Sequence, residues 1–73
     1  MKYYVMEVTN YIDGSKPEVG VYAKDSKDDA FAMYHTKMGS MMKNGNCASE
    51  LISIVNSAGG VEHSECWERE LEE

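Results

Sequence analysis

A length of 73 residues predicts a single domain with one modest core, because the fraction of surface buried on folding falls as a chain shortens. Seven Lys and Arg stand against thirteen Asp and Glu. Residues 1–43 balance, so the net charge of −6 belongs to residues 44–73, where Arg69 alone opposes seven glutamates. No Lys or Arg cluster is present to release counterions from phosphates, which argues against direct binding to nucleic acid or anionic lipid.

No apolar run approaches the roughly 20 residues that cross a bilayer, and Glu7 interrupts the first apolar segment before a signal-peptide core can form. Two cysteines, Cys47 and Cys66, are too few for the disulfide framework of a small secreted domain. These features together predict a cytoplasmic protein without a membrane role.

The first segment, residues 2–10 (KYYVMEVTN), is rich in aromatic and β-branched types on both alternating phases and predicts a strand. Asp13-Gly14, Ser15 and Pro17 are turn residues, and residues 18–24 predict a second strand paired antiparallel to the first through a longer loop. Ser26 and Asp29 form a capping-box pattern that opens a helix over residues 26–43. Its apolar stripe gathers Ala30, Phe31, Tyr34, Met38, Met41 and Met42, leaving Lys27, Met33 and Lys37 outside. Asn44-Gly45 supplies the stop, with Gly45 suited to a left-handed closing residue.

Two further strands are expected at residues 49–56 and 61–68. The Asn56–Gly60 connection suits a type I turn closed by a left-handed Gly59. That turn sets Val55 opposite Val61 and Ser49 opposite Trp67, placing Leu51, Val55, Val61 and Trp67 on one side and Ile52 and Ile54 on the other. Residues 69–73 are expected to fray or to extend the last strand briefly. The result is an α+β fold of order ββαββ: an antiparallel four-stranded sheet with one amphipathic helix packed on one face.

One helix cannot shield both sides of such a sheet. The phases above put Ile52, Ile54, Tyr3, Val5 and Tyr22 on the uncovered side, and an exposed apolar patch of this kind marks a protein contact. A homodimer is the commonest solution among soluble chains.

His35, Cys47, His63 and Cys66 supply two imidazoles and two thiols, the inventory of a tetrahedral zinc site, but only His63 and Cys66 are closely spaced and no C-x-x-C is present. A half-buried structural histidine and small core cysteines are the plainer reading, so no metal and no cofactor are expected. Glu62, Glu65 and Glu68 surround Cys66 and work against a reactive thiolate. The other carboxylates read as a solvated face, none isolated from water as a general acid must be. Phosphate-binding glycine patterns are missing, and so small a chain has little volume for a water-excluding cleft; the expectation is a protein that is not an enzyme.

At Asp28-Asp29-Ala30-Phe31-Ala32-Met33-Tyr34-His35, and again from Gly59-Gly60-Val61 to Cys66-Trp67-Glu68, the chain resembles small proteins of bacterial prophages and mobile elements. These begin with a KYYV-like strand and end in a W-E strand. The resemblance implies an intracellular bacterial or phage setting and a ββαβ-type fold, and carries over no catalytic residue. The leading functional expectation is thus a small interaction module that self-associates or meets a host or phage protein. The alternative is an acidic decoy in which Glu62, Glu65, Glu68 and Glu70 imitate phosphate charge toward a nucleic-acid-binding protein. A small metal or redox module is a third.

Overall fold

The computed structural model describes residues 1–70 and has the order β1 (Tyr3–Tyr11), β2 (Glu18–Lys24), α1 (Lys27–Lys43), β3 (Cys47–Asn56) and β4 (Val61–Glu68). The strands form one open sheet in the order β2-β1-β3-β4, antiparallel at every seam. The expected α+β architecture is therefore present. Because β2 and β3 both oppose β1, they run parallel to each other, and α1 is the crossover that joins them. Parallel crossovers are almost always right-handed, so chain connectivity, more than side-chain chemistry, selects the face on which a crossover helix lands.

Here α1 lands on the face that carries Val5, Ile52 and Ile54, all fully buried, with Tyr3 and Tyr22 packed at the edge of that cluster. This corrects the expected contact surface: Ile52, Ile54, Tyr3, Val5 and Tyr22 belong to the core beneath the helix. The helix contributes Ala30, Tyr34 and Met38 to it, while Met42, expected inside, is 41 % exposed. Ser26 caps α1 through Asp29 N, 3.1 Å from its Oγ.

The helix ends differently from the expectation. Gly14 and Gly59 are the positive-φ residues, and Asn44 leaves α1 in an extended conformation with its N–H on Met41 O. No left-handed residue is required because Arg69 collects the late carbonyls, its Nη2 lying 2.7 Å from Asn44 O and 3.2 Å from Met42 O. Arg69 Nε also donates to Cys47 O at 2.8 Å, and the guanidinium stacks on Trp67. Of the tail expected to fray, Arg69 is thus firmly held; residues 71–73 lie outside the described residues.

The β3–β4 turn does close through Gly59, at φ +91°, and Val55 does pair with Val61. The register then shifts between Ile54 and Val55, so that Ile54 faces His63 and Glu50 faces Trp67. This bulge places one extra residue on β4 and moves Trp67 to the Ile52–Ile54 side, away from Leu51 and Val55.

Candidate functional site

Two features outside the apolar core stand out, one on each face of the sheet. On the helix side, the alternating phase that buries Val5, Ile52 and Ile54 also carries Glu7, Thr9 and Glu50. Glu50 is fully buried, and Glu7 is 8 % exposed. Thr9 Oγ1 lies 2.6 Å from Glu50 Oε1, while Glu50 Oε2 has no partner among fixed donors. Lys37 reaches down from α1 to set its Nζ 3.3 Å from Glu7 Oε1 and 4.3 Å above the Tyr22 ring. Tyr22 in turn lies over Gly20, where a Cβ would come within 2.8 Å of its hydroxyl.

Burial, followed by hydrogen bonding to the neighbouring Glu7 carboxyl, pushes Glu50 up to about 8. A neutral Glu50 suits the orphaned oxygen: its carbonyl accepts from Thr9, and an O–H on the unpartnered oxygen would donate toward the neighbouring Glu7 carboxyl. The same surroundings act on other groups. Burial and then Glu50 raise the Cys47 thiol, and burial together with a hydrogen bond to Glu18 raises Tyr11. Burial by itself would lower Lys37, but its bonds to Tyr22 and Glu7 outweigh this and raise it.

The expectation that no carboxylate is isolated from water is therefore overturned by Glu50. The signal lay in the strand phase: Glu50 precedes Ile52 and Ile54 at two-residue spacing, as Glu7 follows Val5. A charged residue in register with core residues is either exposed by an early strand end or buried with a partner. Here strand β3 starts at Cys47, two residues earlier than expected, and carries Glu50 well inside the sheet.

Among the described residues no helix covers the opposite face. Across β2-β1-β3-β4 the rows there read Ala23-Tyr4-Val55-Val61, then Val21-Met6-Ser53-Ser64, then Val19-Val8-Leu51-Cys66. Val19, Val21, Met6, Leu51 and Val61 are exposed, at 37–71 %. None of these twelve positions is charged; Glu68, beside Ser49, lies at one margin, and the Lys2–Asp25 ion pair follows Tyr4 and Ala23 at the other. The covered face, in contrast, holds Glu7, Glu18, Lys24, Glu50 and Glu65. The chain leaves to water the less charged of its two sheet faces.

The metal candidates do not converge. His63 meets the Phe31 ring at a tilt and the Tyr34 ring edge-on beneath the helix, His35 sits exposed against the edge of Tyr34, Cys47 is buried, and Cys66 is exposed on the open face. Both cysteines are free thiols, and among the described residues no group of three or more His, Cys, Asp or Glu could hold a metal ion. The acidic candidates are divided as well. Glu62 pairs with Lys27 at 3.1 Å and accepts from Asn56, Glu65 faces the helix side, Glu68 points to the other, and Glu70 lies beyond β4. They form no single ridge. No helix among the described residues is long and apolar enough to cross a membrane. Comparison with family models, with curated proteins and with solved structures finds no match to this chain.

Proposed function

We propose that this protein is a small non-catalytic interaction module of the cytoplasm that associates through the open sheet face with a second copy of itself. The observation that carries the reading is the inversion of charge between the faces. Burying Glu7 and Glu50 under the helix while exposing Val19, Val21, Met6 and Leu51 is unfavourable for an isolated monomer, since burying ionisable groups costs free energy and exposed apolar surface gains none. Covering the open face restores the balance.

Charge favours a like partner there. Each copy carries −6, so two copies repel except through a surface bearing no charge, and the three rows described above are such a surface. A basic partner would find no carboxylate among these twelve positions to pair with. The molecule measures 45 × 20 × 14 Å, and its radius of gyration of 13.0 Å exceeds the ~11 Å of a compact chain of this length. Stacking two sheets about 10 Å apart would make a four-layer helix-sheet-sheet-helix body of more usual proportions. With four strands ~4.8 Å apart and rows spanning about five residues, the footprint is on the order of 350 Å² per copy, below the size of stable interfaces and suited to a weak, transient association.

Catalysis finds little support in the geometry, because the one carboxyl tuned as an acid, Glu50, is sealed from any substrate. Sedimentation velocity from 5 to 500 µM tests the reading, using the native chain and the variants Val21→Lys and Leu51→Lys. The native chain is expected to dimerise with a dissociation constant on the order of 1–100 µM, and both variants are expected to stay monomeric with unchanged far-ultraviolet circular dichroism. A native chain monomeric throughout, or folded variants that dimerise equally well, would sink it.

A further inference from the structure

The helix-side carboxyl pair has a second structural neighbour. Between α1 and β2 runs a groove of about 600 Å³, lined by Lys24, Met33, Lys37 and Met41 among others. Lys37 thus belongs both to the groove wall and to the ion pair over Glu7. The second half of α1 is the weaker half: it includes Gly39, which costs about 1 kcal/mol of helix propensity relative to Ala, and its one fully packed side chain is Met38. Arg69 clamps the helix end on the β3–β4 side, and Lys37, over Tyr22 and Glu7, is the polar tie on the flank toward β2.

We propose that a proton on the buried Glu50 carboxyl acts as a latch, and that its loss loosens the Lys37–Met41 flank of the helix and admits water from the groove. Thr9 donates to one oxygen of Glu50 and Lys37 donates to Glu7, while the other Glu50 oxygen is buried without a partner; a proton there would let it donate toward the neighbouring Glu7 carboxyl. When hydroxide removes the proton as water, two adjacent carboxylates face one lysine in a water-poor space. Lys24, the other cation of the groove wall, is paired opposite Tyr3, four positions along β2 from the Gly20 that faces Glu7. Tyr11 on β1 and Cys47 on β3 add negative charge if they ionise, Glu18 on β2 already carries it beside Tyr11, and Glu65 of β4 stands on the same face. Arg69 is committed to carbonyl oxygens on the far side of Cys47. Hydration of the pair through the groove is the available relief, and Lys37 is the side chain that must swing aside.

Side-chain ¹³C NMR of the carboxyl groups between pH 5 and 10, with amide hydrogen exchange corrected for intrinsic rate, tests the latch in the intact chain. The Glu50 carboxyl carbon is expected to titrate near 8. Protection of the Lys37–Met41 amides is expected to fall about tenfold or more across that transition in the native chain, and to stay level in Glu50→Gln. A Glu50 carbon that titrates in the ordinary glutamate range, or an unaltered pH dependence of protection in Glu50→Gln, would overturn the proposal. Should Glu50→Gln not fold, Lys37→Met decides: removing the cation is expected to move the Glu50 midpoint upward by roughly one pH unit, and a midpoint that stays or falls refutes the arrangement.

Discussion

Thr9 Oγ1 stands 2.6 Å from Glu50 Oε1 across the β1–β3 seam, a hydrogen bond closed off from water on a sheet face otherwise packed with Val5, Ile52 and Ile54. It fixes one carboxyl oxygen of Glu50 and leaves the other buried without a partner, so the protonation of a single side chain is tied to folding.

The consequence is a pH dependence of definite sign. Glu50 has a folded-state pKa raised to about 8 from an ordinary 4.5, so its contribution is fully present below pH 4.5 and is lost as pH rises toward 8. Asp13, held down by Ser15 and Asn46, Asp25 by Lys2, and Glu62 by Asn56 and Lys27 act oppositely, and their contributions disappear as pH falls through their lowered values. Urea denaturation across pH 3–9 is expected to give maximum stability near pH 5 and a decline above it of at most ~1.4 kcal/mol per pH unit. In Glu50→Gln the decline should vanish. At pH 8 that variant should exceed the native chain by about 1–3 kcal/mol, because an amide keeps Thr9's acceptor and donates to Glu7 without ionising.

Adjacent residues on β3 should differ sharply. Ile52→Ala opens a cavity under the helix and is expected to cost about 2–5 kcal/mol, a large part of the ~4–10 kcal/mol available to a chain this short. Leu51→Ala, on the open face, should cost under about 1 kcal/mol when measured below the dimer's dissociation constant. Equal losses at the two positions would contradict the assignment of faces.

Salt separates self-association from an acidic decoy. Screening the −6 charge on each copy should tighten the dimer several-fold between 20 and 300 mM NaCl, as read by sedimentation equilibrium. A decoy bound to a basic partner would weaken over the same range.

Cys66 offers an intrinsic probe of the open face, since it is exposed beside Leu51 while Cys47 is buried. Its alkylation by a small maleimide is expected to slow at least several-fold as protein concentration rises through the dimer range. Labelling of Cys66 at a constant rate, measured by mass spectrometry, would place the contact elsewhere.

Arg69 should behave as a structural clamp. Arg69→Ala removes three side-chain hydrogen bonds and the stack on Trp67, for an expected loss of about 1.5–3 kcal/mol in urea denaturation. Arg69→Lys should recover little of it, because an ammonium cannot reproduce the planar fork that spans Cys47, Asn44 and Met42.

The identities of the elements were legible in the chain. Residue spacing and turn chemistry specified four strands, the capped helix, the left-handed Gly59 and the Val55–Val61 pairing, because these are local properties of a few consecutive residues. Alternation also showed that both sheet faces carry apolar residues. It did not say which face the helix would cover: that depends on the hand of the β2-α1-β3 crossover, a property of the whole path of the chain. The bulge opposite Ile54–Val55 is similarly non-local, and moving one residue of register sent Trp67 to the other side. Residue types and their spacing thus determined which segments fold and how they pair at their turns. The tertiary structure alone decided that Ile52 and Ile54 are inside, that Leu51 and Val21 are outside, and that Glu50, one carboxylate among many in the chain, is removed from water beside Glu7.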